Sequence, residues 1–491
     1  VLVTERTASA ELERVARASG VTVDIETDGL EPWKGTRAVG IAVEVDGRAA
    51  YFAERHEGGG NLPAGTLEKL VQALRGKSEY RGWNLRFDLT TLSYEKGGDW
   101  CLARDLPMRD GIVDALLMNE NEESFSLESI ANKYLGAGAA GEKGAMAALL
   151  AARFPEVRSG RARKGLIHRL PAADVAPYAC GDVLLPRRLR DVYAPAVEKW
   201  GLTALAAEMN AYSLLLARMQ VAGIPVDVDR CRQLSAGTAA RQAEVLATLQ
   251  WTAGPKFNPG SWQQVVKLLG TRDAKEKTLA RSGHPLARGI INYKKLGKAK
   301  AAYYDKILEL VDAGGILHPQ LNLTRDPSDV GGTGSGRLSC SHPNFQALPH
   351  ADDDPEAIYQ VRDLVVPPPG YKLAKLDYER AEMWLAAHYS GDVALDDAYH
   401  AGRDLYLELA KKTGTDRQGA KIDWLAIQYG ARGRKLSEMH GWPFKTIGQL
   451  EKQFGVERRR WGDAEWRAYK GQRGPKVVDE FFELCPGIKA A

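Results

Sequence analysis

The chain is poor in cysteine and has no two cysteines close together: Cys101, Cys180, Cys231, Cys340 and Cys485 are scattered, with no CxxC pair. That excludes a disulfide framework and a structural zinc site built on paired thiolates. No run approaches the roughly twenty apolar residues that span a bilayer. The opening VLVTERTASAELERV lacks the basic, apolar and small-residue zones of a signal peptide, so the reading is a cytoplasmic protein. Internal repeats and low-complexity tracts are absent. Charge of one sign is missing too: 67 basic and 63 acidic residues leave a net +4, which by itself says little about a nucleic-acid partner.

What is present is 491 residues, 44% hydrophobic and 26% charged, material for roughly three or four domains. Basic residues cluster locally in RSGRARKG (158–165), NYKKLGKAKAAYYDK (292–306) and ERRRW (457–461). The second cluster interleaves Lys294, Lys295, Lys298 and Lys300 with tyrosines, as a surface tracking phosphates and packing on sugars would. A solvated helix face is the other reading of each cluster.

The first segment alternates strand and helix signals: VTVDIET, a hairpin in AVGIAVEVDGRAAYFA turning at Asp46-Gly47, then a helical TLEKLVQALRG. This predicts an α/β domain ending near Pro195, after a helical PYACGDVLLPRRLRDVYA. The Gly- and Ala-rich stretch 136–154 reads as a mobile loop leading into a helix. Residues 200–312 read as mostly helical. A Gly-rich stretch follows, GGTGSGRLSCSHPNFQALPH, and then a predicted strand, YKLAKLDY, running into a helix, ERAEMWLAAHYSGD.

Asp24 and Glu26 lie two apart in VTVDIET, so on a strand both carboxylates share a face. Asp88 closes NLRFD at the start of a helical stretch. Tyr178 and Asp182 in YACGD are four apart, on one face of a helix. Converging carboxylates repel one another unless cations sit between them, which implies paired Mg²⁺ or Mn²⁺. Two such ions activate a water and stabilise a leaving 3′ oxygen in phosphodiester hydrolysis.

The order DxET, NLxFD, YAxxD resembles the tyrosine subclass of the DEDD 3′-to-5′ exonucleases, the proofreading domain of family A DNA polymerases (DNA polymerase I-like, Klenow-type). The segment DALLMNENEESFSLESIANKYLG is also similar to that family. The resemblance implies a ribonuclease H-like domain over 1–195 in which Asp24, Glu26, Asp88 and Asp182 hold the metals and Tyr178 orients the attacking water. With none of the four carboxylates substituted, an active nuclease is expected.

The remainder resembles the polymerase portion of the same family. EMNAYSLLLARMQVAGIPVDVDR is similar to its entry segment, and FNPGSWQQVVKLL with HPLARGIINYKKLGKAKAAYYDKIL to its thumb. There Lys294, Lys295, Lys298 and Lys300 would hold the duplex backbone. GSGRLSCSHPNFQALP resembles a motif that would bring Arg337 to the primer-template minor groove. KLAKLDYERAE resembles the motif carrying a metal-binding Asp, here Asp377 with the Tyr378 carbonyl, and a Glu that crowds the sugar 2′ position, here Glu382. Only Asp377, Tyr378 and Glu382 match that motif. In DRQGAKIDWLAIQYG, Arg417, Lys421, Leu425 and Tyr429 recur every four residues and so share a helical face. By resemblance Arg417 and Lys421 would meet the incoming triphosphate, and Tyr429 with Gly430 the templating base. Leu425 stands where an aromatic is common, and Tyr406 where many members carry His.

The implied fold class is multidomain, α/β plus α-rich: exonuclease domain 1–195, polymerase entry segment and thumb 196–350, partial palm 351–395 and fingers 396–491. No late His-Asp-Glu hairpin follows Tyr429. A fragment, a split polymerase completed by a second polypeptide, and a DNA-binding platform for the nuclease are the three explanations. The expected partners are primer-template DNA and deoxynucleoside triphosphates, with two Mg²⁺ or Mn²⁺ per site and a DNA-associated location. The leading expectation is a DNA polymerase with proofreading. The competing one is a DNA-binding module with nuclease activity only, or none.

Overall fold

The computed structural model describes residues 1–324, 336–349, 358–486 and 488, leaving aside the Arg161 side chain. The chain forms two compact units, Val1–Leu373 and Ala374–Ala491. The domain boundary expected at 350/351, and the start of the Gly-rich motif at 331–335, lie outside the described residues.

The first unit is built on a five-stranded sheet of β1 (Gly20–Thr27), β2 (Ala38–Val45), β3 (Arg48–Ala53), β4 (Glu79–Gly82) and β5 (Met108–Asp110). Its spatial order is β3-β2-β1-β4-β5. β1, β2 and β3 pair antiparallel, while β4 and β5 run parallel to β1. The Asp46-Gly47 turn has positive φ at both positions (51° and 83°), the geometry that joins two strands through a two-residue loop.

The helices that follow cover both faces. They are α1 (Glu5–Arg17), α2 (Thr66–Ala73), α3 (Leu85–Leu92), α4 (Gly111–Met118), α5 (Leu127–Leu135), α6 (Gly141–Arg153), α7 (Gly160–Lys164), α8 (Ala172–Lys199) and α9 (Thr203–Ala222). On one face Val21, Val23 and Ile25 of β1 pack with Val15, Leu67, Leu70, Leu85 and Leu89 from α1, α2 and α3. Each such burial contributes about 2 kcal/mol. On the other face Ala42, Tyr51 and Ala53 pack with Met146 and Leu150 of α6 and with Val175, Ala179 and Val183 of α8. The period of two along β1 therefore sends its apolar residues to one side and Thr22, Asp24 and Glu26 to the other, toward α8.

The stretch 136–154 is a short turn at 136–140 leading into helix α6, which Met146 and Leu150 anchor through a buried stripe. Pro195 lies inside α8, which continues to Lys199. After α9, the helices Val228–Ala253 and Ala287–Ala299 pack along each other. Among the described residues no helix is long and apolar enough to cross a membrane. All five cysteines are buried with free thiols.

The second unit is helical around one core, in which Trp424 is fully buried against Tyr406 and Phe481. The expected strand in YKLAKLDY does not form: residues 371–378 belong to no strand and are exposed. A strand is held by hydrogen bonds to a partner, and none pairs with this segment among the described residues.

Candidate functional site

β1 is the central strand of the sheet, flanked by β2 and β4, and Asp24 and Glu26 stand on its α8 face opposite Ala42 and Gly40. Gly40 is a close-approach position, since a Cβ there would lie 2.1 Å from the Tyr51 hydroxyl oxygen. The small residue leaves room for Tyr51 to cross the sheet beside Glu26 and meet His56 at 2.6 Å. α8 is long and continuous, and its Tyr178 and Asp182 sit one turn apart over the same strands.

One carboxylate oxygen from each of Asp24, Glu26 and Asp182 lies within 4.8 Å of the others. Burial first, then mutual repulsion, holds Asp24 and Glu26 well above the usual carboxylate range. Burial also raises Asp182, against the pull of Lys143. Asp88 stands apart from this trio. It rides on α3, and its Oδ1 accepts a 3.0 Å hydrogen bond from the Ile25 amide. Burial and the nearby Asp24 charge push it up as well. Tyr178 donates to Asp182, and burial followed by the charges of Glu26, Asp182 and Asp24 raises its hydroxyl well above 10, so it stays protonated.

Two basic residues near the trio carry no signal in sequence spacing. Lys143 of α6 donates from Nζ to Asp182 Oδ2 at 2.8 Å, lies 2.6 Å from Oδ1, and stands 4.9 Å from the Tyr178 ring centroid. Lys164, at the end of the basic cluster 158–165, lies close enough to favour the charged forms of Glu26 and Asp182. Lys143 shares an i, i+3, i+7 face of α6 with Met146 and Leu150, which orients it but does not single it out as a site residue.

The donors suit a hard divalent cation: oxygen ligands only, buried together and mutually repelling, with the Lys143 ammonium against Asp182. Asp24, Glu26 and Asp182 thus form a group that could hold a metal ion.

In the second unit, the helix Arg417–Gln428 turns Arg417 and Lys421 outward and leaves Leu425 half-buried, while Ala420, Trp424 and Ile427 fill the core. Asp416 caps its start by accepting from the Gly419 amide. Tyr429 and Gly430 follow its end, with Gly430 at φ 90°. The Tyr429 hydroxyl donates to Glu382 Oε1 at 2.8 Å, joining two residues far apart in sequence. Arg417 pairs with Asp404 at 2.6 Å and lies over the Tyr406 ring. Asp377 and Tyr378 are exposed, and no group of three metal-ligating side chains among the described residues includes Asp377.

In the first unit Arg337 is exposed. Lys295 is paired with Glu276 at 2.8 Å and Lys300 with Asp305 at 2.5 Å. Lys294 donates to the Ala274 carbonyl at 3.3 Å and is lowered by burial. Of the four lysines only Lys298 is exposed, the other three being half-buried.

Residues 228–455 match the family model of DNA polymerase family A. The DNA-directed DNA polymerase of Pseudomonas phage M6 is 28% identical to the chain, an alignment covering 96% of it and 77% of the phage protein. DNA polymerase I of Pseudomonas aeruginosa is 24% identical over 98% of the chain, which spans half of that protein's length. Among solved structures, the POL domain of Pol1 from M. smegmatis, in complex with DNA primer-template and dNTP, covers the whole chain and 77% of its own. Its TM-score is 0.69 at 18% identity, a likeness of fold. The helix-rich architecture is that of a polymerase fold. The match to DNA polymerase family A lies in residues 228–455, and that stretch is what resembles the family.

Proposed function

We propose that this polymerase proofreads: residues 1–195 form a 3′-to-5′ exonuclease of ribonuclease H-like topology, and the rest supports template-directed DNA synthesis. The observation that carries the reading is the convergence of Asp24, Glu26 and Asp182 beneath Tyr178 on a β3-β2-β1-β4-β5 sheet. Two Mg²⁺ or Mn²⁺ ions, when bound, supply a nucleophilic water and charge stabilisation at the leaving 3′ oxygen. The chain's own residues do the rest. Asp24 and Glu26 fix the cations from a rigid central strand, and Asp88 steadies the end of that strand through the Ile25 amide. The protonated Tyr178 hydroxyl, tied to Asp182, orients the attacking water.

For synthesis, the exposed Arg417 and Lys421 face neutralises a triphosphate. The Tyr429–Glu382 hydrogen bond holds the nucleotide's sugar edge beside the templating position. Thumb, palm and fingers are assigned to 196–350, 351–395 and 396–491, with primer-template DNA and deoxynucleoside triphosphates as partners. Lys298 and Arg337 are the groups best placed to meet the phosphate backbone.

Asp24→Ala with Glu26→Ala is expected to slow Mg²⁺-dependent primer shortening at least ~1000-fold, a loss of about 4 kcal/mol of transition-state stabilisation. Binding of primer-template, followed by fluorescence anisotropy, should change little. Undiminished shortening in the double variant would place the nuclease elsewhere.

A further inference from the structure

Lys143 is unusual in its setting. It lies in the first turn of α6, where the helix dipole favours an anion over a cation. Its side chain is only 11% exposed, and Asp182 beside it only 8%. The position is built. Met146 and Leu150 anchor the same face of α6 in the core, and a Cβ at Gly181 would lie 3.7 Å from the Glu142 side chain, so the first turn of α6 rests against the turn of α8 that carries Asp182. A lysine held there is aimed, and what it meets is the carboxylate that the nuclease reading assigns to a metal.

We propose that Lys143 is a resident counter-cation of the carboxylate cluster, holding Asp182 until a divalent ion displaces it, and thereby setting the metal affinity of the site. This rests on the nuclease reading of the cluster. An ammonium group this close to both Asp182 oxygens occupies the space and the charge that an ion on that carboxylate requires. Ion binding therefore breaks the Lys143–Asp182 pair. Lys143 then remains over the Tyr178 ring, a positioning residue beside the attacking water.

The test is calorimetric titration of the full chain with Mn²⁺ at fixed pH and ionic strength, with the Asp24→Ala, Glu26→Ala double variant supplying the background from the rest of the molecule. Lys143→Met is expected to bind Mn²⁺ at the cluster roughly tenfold tighter or more, the scale on which one opposite charge biases a buried carboxylate. Lys143→Arg, which keeps the charge, should stay within about threefold of the parent. Lys143→Gln serves as a second neutral variant should Lys143→Met fail to show the parent's circular dichroism and melting. Unchanged or weaker Mn²⁺ binding in the neutral variants overturns the assignment of Lys143 and leaves the nuclease reading standing. Identical isotherms for parent and double variant overturn both.

Discussion

At the scale of single residues, buried carboxylates dominate the chemistry of the first unit. Asp110 shows how one of them enters stability. Burial lifts its carboxyl to about 6, although it accepts hydrogen bonds from the Asn84 and Ile112 amides. A raised acid binds its proton more tightly in the folded chain than in the unfolded one. Its contribution is therefore complete below the ordinary value of 3.8 and is lost as pH rises through about 6. The swing is up to about 3 kcal/mol. Asp110→Asn, which keeps an acceptor but no titrating proton, is expected to flatten the urea-unfolding midpoint between these pH values. An identical slope in parent and variant would show that other groups carry it. Residues such as Asp24 and Glu26 were legible in sequence because their spacing and the strand period fix a common face. Lys143 was not, because only the packing of α6 on α8 brings it to Asp182.

At the scale of elements, the helix Arg417–Gln428 shows why its period could be read directly. One face is charged and outward, the other is core, and no longer-range contact is needed to tell them apart. Trp424→Ala, removing the largest fully buried side chain among the described residues, is expected to destabilise the second unit by about 3–5 kcal/mol, measured by denaturant unfolding. A change below 1 kcal/mol would contradict its role in that core. Lys421→Ala touches none of that core, so it should raise the apparent KM for nucleotide roughly tenfold while leaving primer shortening unchanged. An unaltered KM would remove Lys421 from the nucleotide site. The segment 371–378 is the opposite case. Its alternation suggests a strand, yet pairing is a property of two segments, and sequence reports only one of them. The thumb lysines have partners that sequence does not place: Lys295 pairs with Glu276 and Lys300 with Asp305.

At the scale of the molecule, the two compact units carry two kinds of side-chain cluster. In the first, an acidic cluster is enclosed by a sheet and the long helix α8. In the second, cationic and aromatic groups lie on an exposed helix face. The family match spans residues 228–455, so it describes the polymerase portion and leaves the cluster of Asp24, Glu26 and Asp182 to be argued from its own geometry. Mutual repulsion within that cluster gives the chain a further measurable property. Mg²⁺ at a hundred times its Kd should stabilise the folded chain by about 2.7 kcal/mol, seen as a raised melting temperature that the Asp24→Ala, Glu26→Ala variant lacks. The most direct measurement follows the length of a 3′-mismatched primer on template, incubated with the chain and Mg²⁺ without nucleotides. Stepwise shortening from the 3′ end by the parent, and none by the Asp24→Ala, Glu26→Ala variant, is the result expected of a proofreading polymerase. A primer of constant length with the parent chain, or equal shortening by both, would contradict it.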